Sequence, residues 1–110
     1  MRGFKSRKGR LREITLERAR KLYRLAIKAV KDGDIEGSRN YVGLALRLVE
    51  KANIRNPKWL RRGVCRRCHV PLVPGLTSRV RLRPGRKYVT VVVTCLVCGW
   101  IHRYPQRKRT

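Results

Sequence analysis

Two cysteine pairs are the residues of this chain whose type and spacing can support metal chemistry. Cys65 and Cys68 enclose two residues, and Cys95 and Cys98 repeat that spacing. Two such turns, brought together by the strands between them, can supply four thiolates to one tetrahedral Zn²⁺ ion. Four sulfurs close the coordination shell and leave no position for water or substrate. We therefore predict one structural zinc ion rather than a catalytic one.

Two other uses of the cysteines stay open from the residues alone, a redox-active dithiol and disulfide bonds. A redox Cys-x-x-Cys pair usually belongs to a βαβ unit, and that pattern is missing here. Disulfides are typical of secreted chains, whereas the run MRGFKSRKGRLRE has no apolar signal segment. No apolar run approaches the roughly 20 residues that span a bilayer. These features favour zinc, a cytoplasmic or nuclear location and no membrane association.

The residues next to the cysteines are expected to support the site rather than bind the metal. His69 and His102 lie near the two pairs, but four cysteines make a histidine ligand unnecessary. Trp100 and Tyr104 follow the second pair, and aromatic residues of a ribbon more often pack on its face than stack on bases. We expect Trp100 to be a packing residue.

The charge of the chain is the second strong signal. Of its 110 residues, 30 are Lys or Arg and 6 are Asp or Glu, which gives a formal net charge of +24. Such a field attracts a polyanion, and nucleic acid is the polyanion expected here. Self-repulsion on this scale destabilises the isolated fold, so the anionic partner should also stabilise the protein.

Basic residues cluster around the cysteine module. They occupy the segment before it, the first cysteine turn, the tip of a predicted β-hairpin and the chain end. Any one of them alone is as readily a solvated charge, so their clustering carries the hypothesis of phosphate contact. The candidate phosphate-binding residues are Lys58, Arg61, Arg62, Arg66, Arg67, Arg86, Lys87, Arg103, Arg107 and Lys108.

The acidic residues give no pattern of a nuclease site. All six are scattered, mostly over the predicted helices, and none forms a local motif with a histidine for acid–base work or Mg²⁺ binding. We therefore expect a binding protein with no catalytic residues of its own.

The N-terminal half has the periodicity of two helices that precede the cysteine module. Thr15 is a predicted N-cap for the first helix, and Gly33 suits the position after its last turn. Asp34 is a predicted N-cap for the second helix, which should stop before Pro57. The short connection KDGD predicts that the helices fold back as an antiparallel hairpin.

The apolar residues of this hairpin exceed what it can bury alone. On each helix they cover an arc of about 200°, against the roughly 100° of a helix with one buried face. Leu25 and Ile27 on the first helix, and Leu44 and Leu46 on the second, are the predicted surplus. Either the rest of the chain or another protein must cover them.

The C-terminal half has the pattern of a small antiparallel sheet, which makes the fold class α+β. Val80–Leu82 and Tyr88–Thr94 read as two strands joined by a turn, and Trp100–Tyr104 adds a third. The predicted organisation is a basic N-terminal arm at 1–13, a helical hairpin at 14–53, a linker at 54–64, a zinc ribbon at 65–104 and a basic C-terminal tail at 105–110.

Two longer runs add a resemblance to a known family. CRRCHVPLVPGLTSRVRLR and VVVTCLVCGWIHRYP, after a basic helical hairpin, closely resemble the zinc-ribbon protein subunit shared by archaeal and eukaryotic ribonuclease P, the twenty-one-kilodalton-subunit family. The resemblance implies an L-shaped protein of two helices, a linker and a ribbon. It also implies that Cys65, Cys68, Cys95 and Cys98 bind zinc.

The same resemblance implies partners. The helices of family members dock on a second ribonuclease P protein with a small β-barrel, which would account for the surplus apolar arc. The predicted partner-binding residues of this chain are Leu22, Leu25, Ile27, Leu44, Leu46 and Leu48. The pair binds the specificity half of the catalytic RNA and assists removal of the 5′ leader from precursor tRNA, which it reaches indirectly. From the residues alone, a ribosomal or transcription-associated zinc ribbon stays open as the alternative.

Overall fold

The computed structural model describes residues 7–108, and residues 1–6 and 109–110 lie outside the described part. Two long helices come first, α1 over Arg7–Lys31 and α2 over Ile35–Lys51. The tight turn between them confirms both of its predicted signals. Gly33 has a φ of +84°, and the Asp34 side chain accepts a hydrogen bond of 2.9 Å from the backbone N–H of Gly37. The helices therefore fold back on each other as predicted.

The start of α1 differs from the prediction. The segment assigned to a basic arm at 1–13 is helical from Arg7 onward, and its first six residues lie outside the described part. Thr15 is not an N-cap, because its hydroxyl donates a 2.8 Å bond to the carbonyl of Leu11 one turn earlier. That bond satisfies the hydroxyl inside the helix, so threonine, a residue type favoured at N-caps, does not mark the start of the helix here.

The predicted linker at 54–64 is part of the hydrophobic core. It contains a short helix, α3, over Lys58–Arg62, and its Leu60 is only 1% exposed. Leu60 and Val64 pack into the same cluster as small residues of both long helices, which are Ala19, Ala26, Val42, Ala45 and Val49. The segment therefore covers one side of the hairpin instead of spacing two modules apart.

An aromatic contact fixes α3 on the first helix. The rings of Tyr23 and Trp59 lie 5.4 Å apart between centroids, and the Tyr23 hydroxyl donates a 3.0 Å bond to the carbonyl of Gly63. A Cβ at Gly63 would overlap both the Tyr23 hydroxyl and the Trp59 carbonyl. This close approach accounts for a glycine at the end of α3.

Three antiparallel strands form the C-terminal sheet, in the order β1-β2-β3. They span β1 Ser78–Pro84, β2 Tyr88–Cys95 and β3 Ile101–Arg107. The predicted α+β class is confirmed. However, β3 runs beyond the predicted end of the ribbon, so the segment assigned to a tail at 105–110 begins inside a strand.

A second cluster joins the sheet to the hairpin. Val30 at the end of α1 packs with Cys65, Val70 and Cys95, and Ile35 at the start of α2 lies against them. The radius of gyration is 16.4 Å, against about 13 Å for a compact domain of this length. The extents of 48 × 41 × 19 Å describe a flat molecule. Among residues 7–108, no helix is long and apolar enough to cross a membrane.

Candidate metal centre and nucleic-acid interface

The four cysteine sulfurs meet at one point, where the ribbon contacts the hairpin. All four Sγ atoms lie within 4.8 Å of one another. The Sγ atoms of Cys65 and Cys98 are 3.5 Å apart, and those of Cys68 and Cys95 are 3.6 Å apart. Zn–S bonds of about 2.3 Å in tetrahedral geometry place sulfurs about 3.8 Å apart. The donor set therefore fits a single four-coordinate metal ion.

The two cysteine turns have the same backbone geometry. The carbonyl of Cys65 accepts a 2.9 Å bond from the N–H of His69, and the carbonyl of Cys95 accepts a 2.8 Å bond from Gly99. His69 and Gly99 occupy equivalent positions, with φ values of +63° and +82°. His69 therefore closes a turn in the left-handed region, and it does not join the sulfur cluster.

Burial and hydrogen bonding act unequally on the thiols. Burial raises the pKa of Cys65, and it raises the pKa of Cys68 to about 12. Burial has the same direction at Cys98, but the N–H of Trp100 and the three other thiols outweigh it and lower the pKa of Cys98 to about 7. Without a metal, the raised pKa values keep the Cys65 and Cys68 thiols protonated at neutral pH. A metal ion must therefore displace protons to bind.

The sheet carries an arginine face that the sequence reasoning missed in part. Arg79, Arg81 and Arg83 alternate along β1, and Arg81 pairs with Val92, which in turn pairs with Arg103 of β3. The face consists of Arg79, Arg81, Arg83, Arg103 and Arg107, all of them exposed. Val92 lies among them and is only 8% exposed. The alternation in the run SRVRLRP was the signal that could have identified its β1 members.

The predicted phosphate-binding residues divide into three groups, and every one of them is exposed. One group lies on α3 and the first cysteine turn, namely Lys58, Arg61, Arg62, Arg66 and Arg67. A second lies at the turn between β1 and β2. There the Lys87 carbonyl accepts a 2.8 Å bond from the N–H of Lys108, and this bond brings Arg86 near the chain end. The third, Arg103 and Arg107, belongs to the arginine face.

The predicted partner-binding residues differ in how far they are exposed. Leu25 and Leu44 are 45% and 46% exposed, so each has half of its surface uncovered. Leu22 and Leu46 pack against the core of their own chain, and Leu46 lines a cavity with Leu60 of α3. Ile27 and Leu48 are partly buried. Leu11 and Ile14, 58% and 48% exposed, extend the apolar surface into the segment that had been assigned to an arm.

Comparison with known sequences points to one family. A protein-family model described as "RNAse P Rpr2/Rpp21/SNM1 subunit domain" matches residues 18–99. Ribonuclease P protein component 4 of Methanopyrus kandleri is 53% identical over 95 residues, which cover 86% of this chain and 73% of that protein. The protein of the same name from Hyperthermus butylicus is 45% identical over 112 residues, covering 99% of this chain and 97% of that protein.

Comparison with solved structures agrees with the sequence. A chain in the cryo-EM structure of archaeal ribonuclease P with mature tRNA matches with a TM-score of 0.79 and 36% identity, over 97% of this chain and 84% of that chain. The structure of Pfu Rpp21 matches with a TM-score of 0.63 and 41% identity, over 84% of this chain and 99% of that chain. The likeness therefore covers hairpin and ribbon together.

Proposed function

The chain belongs to the RNase P Rpr2/Rpp21/SNM1 subunit family and is a tRNA-processing subunit of ribonuclease P, and we propose that it acts there by binding and stabilising RNA. Its RNA partner is the ribonuclease P RNA, in the specificity half, and precursor tRNA is reached indirectly. The RNA carries the cleavage chemistry, and the cytoplasm is the proposed place of action. Family membership sets aside the ribosomal and transcription-associated alternative.

The arginine face is the observation that carries this proposal. Its five guanidinium groups lie on one side of a three-stranded sheet. No Asp or Glu follows Glu50 in the sequence, so no carboxylate of the ribbon neutralises them. Each guanidinium that reaches a phosphate releases condensed counterions. Neutralised phosphates also repel one another less, so packed RNA helices should need less Mg²⁺ in the presence of the protein.

The salt dependence of RNA binding tests the arginine face. The test variant carries Arg79→Gln, Arg81→Gln and Arg83→Gln, and a control with the same loss of charge on α1 carries Lys21→Gln, Arg24→Gln and Lys28→Gln. Each lost phosphate contact should reduce the slope of log K against log salt by about 0.9 on duplex RNA segments, taking the B-DNA value. We expect a reduction of up to about 2.7 in the test variant and a small change in the control. Equal reductions would mean that net charge, and not this surface, determines binding.

Precursor-tRNA cleavage by reconstituted ribonuclease P at limiting Mg²⁺ tests the role in the holoenzyme. Omission of the chain should lower the cleavage rate and raise the Mg²⁺ concentration needed for half-maximal activity. An unchanged Mg²⁺ requirement on omission would contradict the stabilising role.

We further propose that the metal ion is zinc and that its role is structural. Its four ligands would be Cys65, Cys68, Cys95 and Cys98, and four sulfurs leave no open coordination position. Structural zinc contributes an apparent 10 to 16 kcal/mol in small peptides, far more than a ribbon of this size gains from its own core. Cys65→Ser with Cys98→Ser should therefore unfold the ribbon and abolish rescue of cleavage. One zinc per wild-type chain by metal analysis, with thiols protected from titration, is the expected companion result.

We also propose that the exposed apolar side of the hairpin binds a β-barrel protein subunit of ribonuclease P as a heterodimer. Leu25 and Leu44 are half exposed on the two long helices, and Ile27 and Leu48 are partly buried. Leu25→Glu with Leu44→Glu should abolish the heterodimer in sedimentation experiments, because both charges would be buried in the interface. Leu82→Glu is the matched control, since Leu82 is 66% exposed on the ribbon. Equal loss in the control would contradict this interface.

A further inference from the structure

A cavity between α3 and β3 combines aromatic rings with positive charge. Its volume is about 410 Å³, within the range of roughly 300 to 1,000 Å³ that is typical of small-molecule sites. The residues that line it include Arg61, Arg62, Arg66, Trp100, His102 and Tyr104. Arg61 and Arg62 come from α3, Arg66 from the first cysteine turn, and the aromatic residues from β3 and the residue that precedes it. Three separate segments therefore build this site.

The aromatic residues form a row along the strand. The Trp100 and His102 rings lie 6.2 Å apart at an angle of 64°, and the His102 and Tyr104 rings lie 6.4 Å apart and nearly parallel, at 7°. Trp100 is 43% exposed, so it does not serve only as the packing residue expected from the sequence. The Arg62 guanidinium carbon lies 4.9 Å from the centre of the Tyr104 ring. Aromatic rings and guanidinium groups are therefore in direct contact in this cavity.

Two of the residues that line the cavity carry a polar atom without a partner in the described part of the chain. The Nε2 atom of His102 and the hydroxyl of Tyr104 are buried, and neither has a hydrogen-bond partner within residues 7–108. His102 as a whole is only 6% exposed. Buried polar groups are ordinarily paired with protein, water or ligand. A ligand that enters the cavity and moves the Arg62 side chain off Tyr104 could supply these bonds.

We propose that this cavity binds one unpaired nucleotide of the RNA, with its base against the rings of Trp100 and Tyr104. The phosphate of that nucleotide contacts the guanidinium groups of Arg61, Arg62 and Arg66. The proposal rests on the proposed RNA-binding function and adds to it a preference for a bulged or looped nucleotide. Stacked bases in a helix present no free face to an aromatic side chain, whereas an unpaired base does. A ligand recognised by charge alone would not need the row of rings.

The test compares two RNA hairpins that differ only by one bulged nucleotide, bound to the zinc-loaded full chain. Stacking on an aromatic side chain should favour the bulged hairpin by about fivefold or more. Trp100→Leu and Tyr104→Leu should each bring the two affinities close together, while Trp100→Phe and Tyr104→Phe should keep the preference because they retain a ring. Tyr88→Leu is the control, since Tyr88 is a half-exposed tyrosine of β2 outside the cavity lining, and it should also keep the preference.

Fluorescence gives a second measurement that does not depend on the leucine variants folding. With Trp59→Phe, Trp100 becomes the only tryptophan, and the bulged hairpin should quench its emission more than the paired hairpin does. Equal affinities of the wild-type chain for the two hairpins, or equal quenching, would overturn the proposal. In that case a normal salt dependence would leave the general RNA-binding function intact, whereas failure to bind either hairpin would contradict both.

Discussion

Truncation of Leu60 is the perturbation that tests most directly how the hairpin and the segment after it are joined. Leu60 is among the largest fully buried side chains and belongs to the cluster shared by α1, α2 and α3. Leu60→Ala removes three carbon atoms, worth about 2.4 kcal/mol of transfer free energy at ~0.8 kcal/mol each. The residual cavity places buried Leu→Ala changes in the range of about 2.7 to 5 kcal/mol. Because α3 is short and can relax, we expect a loss of about 3 kcal/mol.

Denaturant unfolding of the zinc-loaded chain in a Trp100→Phe background, followed by the fluorescence of Trp59 on α3, measures this loss as a shift in midpoint at constant slope. Leu82→Ala is the control, because a side chain that is 66% exposed should change the free energy of unfolding by no more than about 0.5 kcal/mol. RNA affinity should fall with Leu60→Ala as well, since α3 carries Lys58, Arg61 and Arg62. A loss below about 1 kcal/mol would refute the conclusion that the segment is part of the core.

Three further predictions follow from the site and its supports. Zinc binding should release protons, and the zinc affinity should rise with pH between about 6 and 8. The reason is that the metal-free Cys68 thiol, with a pKa of about 12, is protonated in this range and only the thiolate binds zinc. An indicator titration measures the proton release, and a pH-independent affinity would contradict the prediction. Gly63→Ala should destabilise the chain by more than about 1 kcal/mol in thermal unfolding because its Cβ has no room, whereas Gly43→Ala on α2, where a Cβ meets nothing within 4 Å, should stabilise it by about 0.5 to 1 kcal/mol. His69→Gly should keep one zinc per chain. His69→Val should weaken zinc retention in competition with a chelator, because a β-branched residue resists a φ of +63°. Loss of zinc in His69→Gly would show that the imidazole takes part in binding.

Much of the fold could be predicted because its signals are local. The Asp34 cap and the turn glycine before it mark a helix boundary through bonds within a few residues. The continuous run of β-branched residues in Tyr88–Cys95 predicts a strand, and two matched cysteine spacings predict two matched turns. Each of these features depends on the chain over a few positions. The start of α1 was predicted wrongly, although its signal was also local, because a buried threonine can bond within a helix as well as cap one.

The candidate site was predictable to the same extent. The sulfur cluster follows from spacing, and the sulfur–sulfur distances agree with it. Basic residues in the ribbon could be counted but not assigned to a side of the sheet until strand register was known. Arg81 and Arg103 are far apart in the chain, yet the register places them on either side of Val92.

The sequence by itself determined the four metal-ligand candidates, the positive charge that requires a polyanion, and the helical and strand periodicities. Each of these depends only on residue type and on spacing over a few positions. Only the tertiary structure decided which apolar residues are covered. Leu46 and Leu25 both lie on apolar arcs, but Leu46 packs against the chain's own core cluster, whereas Leu25 stays half exposed. It also decided that Trp100, His102 and Tyr104, which alternate along the chain, lie beside the arginines of α3. Both outcomes depend on contacts between distant segments, and the pattern of any single segment does not contain that information.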